Sequence, residues 1–62
     1  MYKVLRIYDD LTTICEDGGD NFISILNALA IYLEDPMCVG VKVWRSESGK
    51  LIVDYWKEAC CQ

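Results

Sequence analysis

A chain of 62 residues with 53% hydrophobic residues, one proline and four glycines is too apolar for intrinsic disorder and has room for one small domain. Its net charge of −4 and six scattered basic residues argue against general nucleic-acid binding, which neutralises phosphates with clustered Lys and Arg. With no histidine, a zinc site would have to be built from cysteine alone.

The start MYKVLRIYDD is strand-like and has none of the basic, apolar and small-residue zones of a signal peptide. No apolar run reaches the ~18 residues of a membrane span, since residues 22–33 are interrupted by Ser24 and Asn27. The expectation is a reducing cytoplasm with free thiols.

Residues 3–8 read as the first strand, and residues 11–15 as its hairpin partner through a tight Asp9-Asp10 turn. That turn would set Leu5 beside Ile14 and Lys3 beside Glu16.

Residues 20–35 read as the single helix. Gly18 and Gly19 break the chain before it, Asp20 is placed to cap it, and Pro36 stops it. Phe22, Ile25, Leu26, Leu29, Tyr32 and Leu33 form one apolar arc, widened by Ile23 and Ala30. Ile31 falls on the opposite face with Ser24, Asn27 and Glu34, where water is expected. Glu34 and Asp35 oppose the helix dipole at a cost of ~0.3–1 kcal/mol each, so a nearby cation or a partner is expected there.

Two β-branched and aromatic runs, 42–45 and 50–56, flank a loop of Glu47, Ser48 and Gly49, with Gly49 suited to a left-handed position. The implied register pairs Arg45 with Leu51, Val43 with Val53 and Val41 with Tyr55 on a face for the helix. The other face pairs Trp44 with Ile52, Lys42 with Asp54 and Gly40 with Trp56, whose ring can fold over the glycine.

The fold class is therefore α+β, with a single helix on one face of a three- or four-stranded, mainly antiparallel sheet in the order β(β)αββ. One domain spans residues 1–62, with 57–62 as a short tail. The order and lengths of these elements resemble small β-grasp domains in layout, without a shared motif, and fold alone does not carry function.

Candidate chemistry is sparse. Cys15, Cys38, Cys60 and Cys61 lack the C-x₂₋₄-C spacing of a zinc knuckle, and nothing near Cys60 would activate a thiol. Asp9, Asp10, Glu16, Asp17 and Asp20 form an acidic surface that reads as a solvated loop, with phosphate mimicry as its functional counterpart. EDGGDN lacks the alternating ligands of a calcium loop. No cofactor or metal site is expected, and no nucleophile, phosphate loop or paired-carboxylate motif marks an enzyme.

The informative group is Trp44, Ile52 and Trp56 on the uncovered sheet face, with Lys42 and Asp54 between the indoles and Ile31 as a separate exposed residue. The expectation is a non-enzymatic protein-binding domain, homodimeric, serving as a regulator or inhibitor of a larger protein, as small acidic phage-like proteins can. The rivals are a single-stranded nucleic-acid module stacking bases on Trp44 and Trp56, and a cysteine-metal protein.

Overall fold

Residues 1–57 are described by the structure, a computed structural model. They form β1 (Tyr2–Tyr8), β2 (Thr13–Gly19), α1 (Phe22–Glu34), β3 (Cys38–Arg45) and β4 (Leu51–Trp56). The four strands make one antiparallel sheet in the order β2-β1-β3-β4. This is the expected α+β architecture with four strands. The likeness to β-grasp domains stops at the succession of elements. A β-grasp sheet sets its first and last strands side by side and parallel, whereas here β3 lies antiparallel beside β1 and β4 forms an edge.

The β1–β2 hairpin corrects the expected turn. Tyr8 N–H donates to the Thr12 carbonyl at 2.9 Å, so the loop is Asp9, Asp10 and Leu11. Asp10 Oδ1 anchors it by accepting from the Thr12 N–H at 3.0 Å and the Thr12 hydroxyl at 2.6 Å. A two-residue turn of the hairpin kind commonly needs two left-handed residues, while this loop needs only Leu11, at φ 72. The register moves by one residue, setting Leu5 opposite Cys15, Val4 opposite Glu16 and Lys3 opposite Asp17. Every β2 side chain therefore changes face relative to the expectation.

Leu11 is 87% exposed, so its side chain contributes little burial to offset a left-handed backbone that costs roughly 1–2 kcal/mol. Leu11→Gly is expected to raise stability by about 0.5–1 kcal/mol after the greater chain entropy of glycine is counted. A thermal melt checks this, and a lowered midpoint would contradict it.

In the β3–β4 hairpin Gly49 takes the expected left-handed conformation, with φ 70. Its N–H bonds to the Arg45 carbonyl at 2.7 Å, and Arg45 N–H bonds to the Lys50 carbonyl at 2.9 Å. The loop is thus residues 46–49, one residue longer than expected. Ile52 absorbs the difference as a bulge, which sets Trp44 opposite Leu51 instead of Ile52. From Val43–Val53 to Gly40–Trp56 the pairing is as expected.

The helix is capped by Asn21, not Asp20. Asn21 has extended backbone angles, and its Oδ1 accepts from Ile23 N–H at 3.0 Å and Ser24 N–H at 3.3 Å. Asp20 instead lies 3.0 Å from the N-terminal ammonium. At the other end Lys57 Nζ donates to the Asp35 carbonyl at 2.9 Å, supplying the cation that the acidic C-terminus called for.

Val4, Val41 and Val43 from the sheet meet Ile25 and Leu29 from the helix, with Cys38 beside them, and these six residues are the buried core. Gly18 brings α1 close to the β2 side, since a Cβ there would stand 3.0 Å from Val4 and 3.1 Å from Ile25. The helix packs against β3 and β2. Its arc is buried more narrowly than the sequence suggests, with Leu26 and Ile23 exposed. Tyr55 on β4, expected under the helix, remains 48% exposed. No helix among the described residues is long and apolar enough to cross a membrane.

Candidate functional site

Direct opposition across the three ladders puts residues in rows on the sheet face away from α1. One row runs Asp17, Lys3, Trp44 and Leu51; the next Cys15, Leu5, Lys42 and Asp54; the third Thr13, Ile7, Gly40 and Trp56. No described element covers this face. Leu5, Ile7 and the two indoles make it substantially apolar, and Trp56 remains 51% exposed.

Gly40 explains the position of Trp56. A Cβ at residue 40 would stand 2.8 Å from the indole, so the missing side chain makes the shelf on which the ring lies. Lys42 Nζ is 5.6 Å from the center of the same ring, within cation–π range, and 3.9 Å from Asp54 Oδ1. Lys3 is paired more closely, at 2.6 Å from Asp17. Hydrogen bonding to Asp17 holds the Lys3 ammonium above its usual range.

Of the expected partner-binding residues, Trp44, Trp56, Lys42 and Asp54 come together on the open face. Ile52 sits at the β4 bulge without a partner in the ladder and lines a surface pocket with Tyr2 and Phe22, toward the helix side. Ile31 is 66% exposed on the helix, on the far side of the molecule from the tryptophans. The five acids occupy separate places. Asp9 and Asp10 are in the first hairpin loop, Asp17 is on the open face, Asp20 precedes α1, and Glu16 lies on the helix side of β2.

Sequence reasoning missed the share of β1 in the open face. Leu5 and Ile7 alternate with Val4 and Tyr8, so both sides of this strand carry apolar residues, the pattern of a central strand. It also missed a polar cluster between α1 and the sheet. Tyr32 hydroxyl donates to Glu16 Oε1 at 2.5 Å, and Arg6 Nη2 lies 2.8 Å from Glu16 Oε2. The guanidinium is 4.3 Å from the center of the Tyr32 ring and donates from Nη1 to the Tyr8 hydroxyl at 3.2 Å. The Tyr32 hydrogen bond, helped by the Arg6 charge, holds the Glu16 carboxyl below its usual range. The same bond, together with burial, pushes the Tyr32 phenol up. This cluster fixes the helix to the sheet.

Cys15 lies on the open face and Cys38 is buried in the core on the other side, where its thiol donates to the Gly40 carbonyl at 3.6 Å. Cys60 and Cys61 lie outside the described residues. Among the described residues no three His, Cys, Asp or Glu side chains are grouped to hold a metal ion.

Fold and face together define a small α+β domain with an aromatic sheet surface that no described element covers. In comparisons with protein-family models, curated proteins and solved structures, nothing matches the chain.

Proposed function

We propose that the chain is a non-enzymatic protein-binding domain that engages its partner through the open sheet face and regulates or inhibits a larger protein. The observation that carries this reading is the sheet face of Leu5, Ile7, Trp44 and Trp56 that no described element covers, on which Trp56 is exposed and the other three are half-buried. Contiguous apolar patches on small domains mark interaction sites, and tryptophan is a preferred anchor of binding energy. The Gly40 shelf adds support, because it presents the broad indole surface at little entropic cost on docking. Self-association belongs to the same reading, since a core of this size gains stability from a partner.

Base stacking on the same tryptophans draws less support. The two lysines of the face are matched by two aspartates, so the surface gives phosphates no net attraction.

The test is affinity capture from the source cells with the wild-type chain and with the Trp44→Ser/Trp56→Ser variant. A protein retained by the wild type and lost from the variant is the expected result. Retention that ignores the two substitutions, or salt-sensitive capture of single-stranded nucleic acid, would overturn the proposal.

A further inference from the structure

We infer that in the free protein the open face takes a second copy of this chain, stacked sheet against sheet, a step that rests on the protein-binding reading, in which a larger protein engages the same face in place of that copy. Charge is the first argument. The whole chain carries −4, but on the open face Lys3 and Lys42 balance Asp17 and Asp54. Among the described residues the whole negative excess lies elsewhere. Two copies repel through most of their surface and can meet at this face without bringing net like charge together.

Shape is the second. Twisted sheets stack face to face about 10 Å apart, with side chains interdigitating between them. Four strands ~4.8 Å apart and about six residues long give a flat area of roughly 400 Å² per copy. Two such faces give about 800 Å² in total, short of the about 1,200 Å² of standard specific interfaces, so the dimer is a weak, transient one that dissociates at the upper end of the micromolar range.

The sheet edges suit a partner less well. β4 is six residues long and interrupted by the bulge at Ile52. β2 carries Glu16 and Asp17 and ends irregularly at its glycines. Short, bulged and charged edges disfavour pairing with another strand.

The experiment is analytical ultracentrifugation of the full chain from about 1 µM to 1 mM, bracketing the expected dissociation constant. Lys42→Asp gives the face a net charge of −2 and is expected to weaken the dimer by about tenfold or more. Lys42→Asp/Asp54→Lys restores neutrality and is expected to restore the dimer. Circular dichroism confirms that each variant is folded, and a variant that is not folded is replaced by the milder Lys42→Gln with the same expected direction. Amide exchange separates face from edge. Lys57 N–H bonds to the Val39 carbonyl, so by alternation the Asp54 and Trp56 amides point away from β3. Slowed exchange at those two amides on dimerisation would mean edge pairing and overturn the inference. So would a monomer at every concentration, or a dimer indifferent to the Lys42 substitutions. A monomer that still captures a different protein through its tryptophans would leave the protein-binding reading standing alone.

Discussion

Ile25→Ala or Leu29→Ala is expected to abolish or nearly abolish folding at physiological temperature. Both side chains are buried between the helix and the sheet, in contact with the valines of β1 and β3. Truncations of this kind cost ~2–5 kcal/mol. A core of this size supplies about 3–5 kcal/mol in all, so one such loss is comparable to the whole stability. Exposed Ile31, on the same helix, serves as the control, and Ile31→Ala is expected to change the urea midpoint little. Near-wild-type stability in both core variants would mean that α1 is not seated as described.

Glu16→Gln is expected to lower stability at neutral pH and to flatten the acid side of the stability profile. The neutral side chain can still accept from Tyr32, but Arg6 loses its anionic partner while remaining half-buried. Glu16 is 38% exposed at its side chain, so solvent screening limits the loss to about 1 kcal/mol. The pH dependence follows from the lowered Glu16 pKa, caused first by the Tyr32 hydrogen bond and then by the Arg6 charge. A carboxyl held low in the folded state stabilises the fold above its unfolded pKa of about 4.3. That contribution disappears as pH falls through the lower folded value. Urea titrations at a series of pH values should show wild type and Glu16→Gln converging in acid. Curves that stay parallel from neutral to acid pH would assign the loss to packing instead.

The parts of this fold that were legible in the sequence are those fixed by local chemistry with few solutions. Gly49 marks its turn, the alternation of Val41, Val43 and Val53 assigns one face of β3–β4 to the helix, and Gly40 opposite Trp56 predicts the shelf. The first hairpin was not legible because its loop depends on Leu11 adopting a conformation that leucine rarely signals. Choosing that loop moved Glu16 to the helix side and Cys15 to the open face. The caps were ambiguous because Asp20 and Asn21 are equally good candidates, and the end of β2 decides between them. The open face was only half legible for a related reason. The hairpin reveals its own tryptophans, but Leu5 and Ile7 join them only once β1 is known to lie beside β3.

Strand order also shapes the path by which the chain folds. β1 closes on β2 and β3 on β4 through short loops, so the one sheet pairing between remote parts of the chain joins β1 to β3, where Val4 meets Val43. Folding kinetics should therefore be governed by one long loop closure, in which the N-terminal hairpin docks along the seam held by Val4, Val41 and Val43. Substitutions along that seam should slow folding, while changes near Gly49 or Leu51 should act mainly on unfolding.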